Sequence, residues 1–176
     1  RTVLDGTHGF YRAFAPSVPP NFGPLLDDLG RRWVMPSIAF KPYACGTMTQ
    51  PFIDCAIALA GDGVRAEDIS RIECEAAEGT VHRLWEPLES KHRPPNEYVA
   101  KFSAPFNIAV AFVTGGAGLS AFTEKTVRDP RILALASKVR YVVNPDDPYP
   151  KAFTGHVRMT LKDGQVVEER QPHIRG

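Results

Sequence analysis

The sequence predicts an α+β domain, a small antiparallel or mixed sheet packed with two to three helices and preceded by a short helical segment. Three observations carry this. Strand and helix patterns run β-α-β-α-α-β-β-β along the chain, which is not the regular alternation of a doubly wound sheet. The last two strand patterns flank Lys162-Asp163-Gly164-Gln165, and Asp-Gly between alternating runs signals a tight hairpin. Hydrophobic residues make up 43% of the 176 and charged residues 23%, a globular mixture.

Residues 1–31 read as a leader broken by Gly6, Gly9, Pro16, Pro19, Pro20, Gly23 and Pro24. Phe10, Tyr11 and Phe14 fit one helical turn, and Leu25, Leu26 and Leu29 another, stopped by Gly30. So much aromatic surface on so short a segment needs something to pack against, so it reads as the edge of a neighbouring domain. Residues 33–40 read as a strand bent at Pro36 and ended by Lys41-Pro42. Thr49 is placed to cap a helix with Pro51 in its first turn and Ile53, Ala56, Ile57 and Ala60 recurring up to Gly61. Over 69–77, Ile69, Arg71, Glu73 and Glu75 alternate with Ser70, Ile72, Cys74 and Ala76, as in a half-buried strand. Residues 78–95 are polar and proline-bearing and read as a long loop. Ser103 caps a helix with an apolar face of Phe106, Ala109, Val110 and Val113, ending at Gly115-Gly116. Asp129 and Pro130 open a short helix over 129–138. Val139–Val143 is a strand, and 156–161 with 166–169 form the hairpin.

Lys and Arg total 21 against 20 Asp and Glu, a net charge of +1. That balance argues against nucleic acid or an anionic membrane surface as the main partner. No apolar run reaches the ~20 residues of a membrane span. Cys45, Cys55 and Cys74 are an odd count without a close pair. They exclude a disulfide framework or a Cys-x-x-Cys zinc site, and they fit a reducing, cytoplasmic setting. The chain opens on Arg1 with no apolar signal core over 1–11, and reads as processed or as a piece of a longer protein.

None of His8, His82, His92, His156 and His173 pairs at ligand spacing, so no metal is expected and all five read as surface or loop residues. Gly115-Gly116-Ala117-Gly118 follows a helix, whereas a phosphate cradle follows a strand and opens a helix; no nucleotide cofactor is expected. No Gly-x-Ser-x-Gly elbow surrounds Ser103 or Ser120. Cys45 lies in a Tyr-Ala-Cys-Gly turn where exposure is expected, while Cys55 and Cys74 sit on apolar faces. The richest stretch runs from Phe40 to Pro51. Lys41 ends a strand pattern, a rigid turn follows, and then a helix N-terminus with its free N–H donors and positive dipole. Together they suit a small carboxylate, which Lys41 would bind or serve as acid or base. The plainer alternative is a solvated lysine beside a turn.

The stretch "KPYACGTMTQPFIDCA" resembles the lysine-proline-tyrosine motif of the MmgE/PrpD family, the 2-methylcitrate dehydratase-like proteins that include cis-aconitate decarboxylases and iminodisuccinate epimerases. "GFYRAF" resembles the family's upstream Gly-Phe element. "AKFSAPFNIAVAFVTGG" resembles its Phe-Ser-x-Pro-aromatic helix. "DPRILALASKV" and "VRMTLKDGQV" resemble its final helix and hairpin. The likeness runs in order over nearly all of residues 6–176.

The resemblance implies two domains, one all-helical and one an α+β lid, with the site between them. Residues 1–37 then end the helical domain and 38–176 form the lid, while the helical half, with its aspartate and histidine acid and base groups, is missing. It implies a cofactor-independent lyase on small di- or tricarboxylic acids, in which a proton α to a carboxylate is removed. An epimerase or a non-catalytic carboxylate-binding member is the alternative. Lys41 matches the lid's active-site lysine, with Tyr43, Cys45, Gln50, Ser103 and Phe106 as substrate-binding candidates. Gly46 and Gln50 stand where relatives often carry histidines, and Phe106 where they often carry tyrosine. The resemblance also implies a homodimer built through the helical domain. It predicts no turnover from this chain alone.

Overall fold

The computed structural model describes residues 2–175 and separates into two compact units, Arg1–Ala39 and Phe40–Gly176. In the first unit the chain forms three short helical pieces, α1 (Thr2–Asp5), α2 (Phe10–Phe14) and α3 (Gly23–Leu26). The expected turn at Phe10 forms, with Phe10 stacked on Phe14 at 4.8 Å and Tyr11 edge-on to Phe22 at 5.2 Å. The second expected helical turn forms only over Gly23–Leu26 and ends at Asp27, so Leu29 lies outside it and Gly30, at a φ of +78°, sits in the turn beyond. The side chain of Leu25 lies outside the described set.

In the second unit a 3-10 turn, Thr47–Thr49, runs straight into α4 (Gln50–Gly61). Next come β1 (Ile69–Ala76), α5 (Leu88–His92), α6 (Glu97–Ala100) and α7 (Ala104–Thr114). Then follow α8 (Glu124–Val127), α9 (Pro130–Ala136), β2 (Val139–Val143), β3 (Gly155–Leu161) and β4 (Val166–Gln171). The four strands make one mixed sheet in the order β2-β1-β3-β4. β2 lies parallel to β1, with Ile72 opposite Val139, and the other pairs are antiparallel.

Helices cover one face of the sheet. α4 lies on β3 and β4, and α7 packs between α4 and α9. That face buries Ile72, Cys74, Ala76, Val157 and Met159. The strand period of two puts Arg71, Glu73, Glu75, His156, Arg158, Glu168 and Arg170 on the other face. Ile69 breaks the alternation expected for β1: it is buried, because the register shifts between Ile69 and Arg71. A bulge there turns one residue to the opposite face. Gly155 opens β3 against the first turn of α4. A Cβ there would stand 2.6 Å from the Pro51 carbonyl carbon, so only glycine permits this approach.

Two expected elements do not form as read. Residues 33–40 are not a strand. Met35–Ser37 makes a 3-10 turn holding Pro36, and the whole segment is exposed. A strand needs a partner ladder, and within the first unit the described residues form only helical pieces and turns. Nor are residues 78–95 an open loop. They form a 3-10 turn (Glu78–Thr80), one turn of π-helix (Val81–Trp85) and α5, and they bury Leu84, Trp85, Lys91 and His92. The helix capped by Ser103 forms as read and stops at Gly115, whose φ is +76°. Asp129 caps α9 by accepting from the Arg131 amide.

Candidate functional site

The turn from Lys41 to Thr49 is tied down along its length. The Ala44 amide donates to the Ala117 carbonyl at 3.0 Å, and the Gly46 amide to the Lys101 carbonyl at 2.9 Å. The Thr49 hydroxyl donates to the Gly46 carbonyl at 2.7 Å, and Asn107 Nδ2 donates to that hydroxyl at 3.1 Å and to the Lys101 carbonyl at 3.3 Å. Thr49 therefore stands at the cap position of α4 but does not cap with its side chain. The 3-10 turn takes the first Gln50 amide bond, so the N-terminal donors of the combined helix shift upstream toward Gly46 and Thr47.

Lys41 is exposed at the head of this turn and donates from Nζ to the Cys45 carbonyl at 3.2 Å. Among the described residues no carboxylate pairs with it. Gln50 is buried, and its Nε2 has no acceptor among the described residues; the same holds for a donor to buried Asn107 Oδ1. Such orphaned polar atoms are uncommon in a folded interior, and they mark a polar seam beside the lysine turn.

The other candidates spread into the core. Cys45 is not exposed as expected but 5% accessible, with the Thr49 hydroxyl 3.2 Å from its sulfur. Burial pushes its thiol up, against the opposing bond from Thr49 and the positive fields of Lys41 and Lys101. Such a thiol is a packed group rather than a nucleophile. Cys55 and Cys74 are buried as expected, and burial pushes Cys55 up to about 12. Ser103 is fully buried. Its hydroxyl accepts from the Phe106 amide at 3.1 Å and donates to the Lys91 carbonyl at 2.5 Å, so both roles are spent inside the protein. Phe106 is fully buried, its ring 6.3 Å from that of Phe122. Tyr43 is also buried, and its hydroxyl donates to Asp54 Oδ1 on α4 at 2.5 Å. Lys41, Tyr43, Cys45 and Gln50 thus all lie on or at the end of the turn that leads into α4. Ser103 and Phe106 belong to the supporting helix.

Several residues that shape this cluster escape a reading of the sequence. Asn107 is a lone amide inside the apolar run of α7, and that isolation was the available signal. Lys91 is buried, and among the described residues no carboxylate forms an ion pair with it. Its Nζ donates to the Arg83 carbonyl at 2.5 Å and the Phe102 carbonyl at 2.9 Å, and burial pulls its pKa down. It staples the 78–95 segment to the stretch that holds Gly46. Two histidines expected at the surface are buried: His92, with Nε2 2.9 Å from the Val139 carbonyl, and His156, with Nδ1 2.8 Å from Glu75. Among the described residues no cluster of His, Cys, Asp and Glu is arranged to hold a metal. No helix among them is long and apolar enough to cross a membrane.

A family model described as the MmgE/PrpD C-terminal domain matches residues 43–176. The match begins two residues after Lys41 and takes in α4, the whole sheet and the helices over it. Comparison with curated proteins finds no match.

Proposed function

The chain belongs to the MmgE/PrpD family and carries its C-terminal domain, and from that premise we propose that it forms one wall of a cleft that binds a small di- or tricarboxylic acid. Members of this family are in general enzymes. The reading proposed is a cofactor-independent lyase. A base on an opposing helical domain removes the proton α to a carboxylate, and Lys41 and the adjacent helix end neutralise the charge that develops. The reaction is a dehydration when a β-hydroxide departs and leaves as water, and a decarboxylation when carbon dioxide departs in place of the proton and the protonated form of that base supplies a proton to the resulting carbanion. Return of the proton to the other face makes it an epimerisation. A cytoplasmic homodimer is part of the same proposal.

One observation carries it: an exposed ammonium without a carboxylate partner among the described residues, held by its bond to the Cys45 carbonyl at the N-terminal end of α4. A preorganised cation costs no reorganisation when charge develops on a bound acid. A second reading, binding without turnover, is favoured by Phe106. It offers no hydroxyl and is packed wholly inside, so it can neither donate to a substrate nor move a proton.

Proton NMR in deuterated buffer separates the two. The full-length protein is incubated with citrate, 2-methylcitrate, cis-aconitate or iminodisuccinate, with Lys41→Ala alongside. The lyase reading expects loss of an α-proton signal or a new product, slowed by about 10²–10³ in the variant. Equal rates in wild type and Lys41→Ala would remove Lys41 from the mechanism. Lys41-dependent shifts without turnover would favour binding.

A further inference from the structure

Tyr43 is the middle residue of the span that Lys41 and Cys45 bridge, so whatever holds Tyr43 holds the base of the lysine. Three side chains meet there. Tyr43 Oη donates to Asp54 Oδ1 at 2.5 Å. Arg175, four residues beyond β4, donates from Nη2 to that same Oδ1 at 2.5 Å and to Tyr43 Oη at 2.5 Å. Its Nε reaches Asp54 Oδ2 at 3.2 Å, and its guanidinium carbon lies 5.7 Å from the centre of the Tyr43 ring. Asp54 is 8% exposed and Tyr43 7%, whereas the Arg175 side chain is 62% exposed. A buried carboxylate is thus closed from outside by one arginine that a local movement could lift away.

We propose that Asp54 and Arg175 are positioning residues, which act through Tyr43 to fix the turn that presents Lys41. The segment after β4 is then a clasp on the lysine turn. The physical case is the geometry of the fork. A guanidinium that bonds both carboxylate oxygens and the phenol oxygen sets the orientation of all three groups, which a single contact does not. Burial, together with Asp54, pushes Tyr43 up to about 12, so the phenol stays a donor to Asp54 through the working range of pH. Without Arg175 the Asp54 charge is left facing Tyr43 alone, and an unpaired buried charge relaxes by moving toward water. The part of the inference that concerns ligand affinity rests on the carboxylate reading of Lys41; the part that concerns geometry does not.

The test uses the full chain labelled with 13Cζ-tyrosine and 13Cε-lysine, with Tyr43 assigned from Tyr43→Phe and Lys41 from Lys41→Arg. The variants are Arg175→Ala, Arg175→Lys and Asp54→Asn, with Arg170→Ala as an exposed control on the sheet. Arg175→Ala and Asp54→Asn are each expected to move the Tyr43 Cζ resonance at neutral pH, since the phenol oxygen loses the Arg175 donor in one and its carboxylate acceptor in the other. In Arg175→Ala the Lys41 Cε resonance moves and citrate affinity falls about tenfold, with partial recovery in Arg175→Lys. Arg170→Ala does neither. If Asp54→Asn does not fold, the exposed Arg175 variants still decide the matter. A Tyr43 Cζ resonance unmoved by Arg175→Ala would overturn the clasp. A moved Tyr43 with an unmoved Lys41 resonance would reduce it to a structural tie and overturn the positioning role. If citrate binds no form of the protein but the Lys41 resonance still shifts in Arg175→Ala, positioning stands and the carboxylate reading falls.

Discussion

Trp33 and Trp85 are the two tryptophans of the chain, and their regions end in opposite states. Trp33 is 75% exposed in a segment where Phe14, Leu29, Val34 and Met35 are exposed as well. Trp85 is fully buried, edge-on to Phe52 at 5.3 Å and tilted against Tyr141 at 5.4 Å. Local hydropathy would rank them the other way. The leader is rich in apolar residues, while 78–95 is polar and proline-bearing. What decides burial is an opposing surface. The sheet and α4 supply one to Trp85; in its own unit nothing covers Trp33. The hydrophobic effect is proportional to area removed from water, not to the apolar content of a segment.

The sharpest way to break this comparison is Trp85→Ala. The ring fills space between α4 and β2 through Phe52 and Tyr141, and its loss leaves a cavity lined by rings that cannot all collapse inward. The expected cost is about 3–5 kcal/mol, read from urea unfolding of the full chain. A cost below about 1 kcal/mol would mean the 78–95 segment is peripheral after all.

How far the sequence foretold this follows the same division. Val139–Val143, the hairpin at Gly164, and the helices capped by Ser103 and Asp129 were legible because each has a local cause: a period, a cap or a turn glycine. The strand expected over 33–40 failed because a ladder is a tertiary property that no local pattern holds. The 78–95 segment failed because its apolar residues, Leu84 and Trp85, are two among polar ones, and short helical turns carry no periodicity to read. In the candidate site, the turn that carries Lys41 and leads into the helix at Gln50 has a local cause in its prolines and glycine. Asp54 and Arg175 lie 121 positions apart, and only the fold brings them together.

A smaller effect tests the open face of the sheet, which is charged where the helical face is apolar. Glu75 is partly buried, which opposes its ionisation. The His156 ring, with Nδ1 2.8 Å away, and Arg170, which donates from Nη2 at 3.3 Å, outweigh this and hold its carboxyl below the ordinary range. A folded pKa below the unfolded one gives stability that is present at neutral pH and lost as pH falls through the folded value. Glu75→Gln is therefore expected to cost about 0.5–1 kcal/mol at pH 7 and progressively less in acid, a flattening of the acid limb in urea midpoints measured from pH 7 to 3. An unchanged acid limb would show that these contacts are not formed in solution, and would leave the charged face as a mere solvated surface.

The smallest expected effect is the one that sharpens the comparison most. Trp33→Ala removes as large a side chain as Trp85→Ala, but from a position already in contact with water, so the folded and unfolded chains lose nearly the same thing. The unfolding free energy of the Phe40–Gly176 unit should stay within about 0.5 kcal/mol. The variant also leaves Trp85 as the sole tryptophan, so its emission reports that unit alone: blue-shifted while Trp85 is packed, red-shifted as it meets water. Unchanged midpoints with a blue-shifted native spectrum would fix the two tryptophans as the same residue in two environments. A loss above about 1 kcal/mol would instead show Trp33 covered in solution, and the opposing surface missing from its own unit would then have to be found elsewhere.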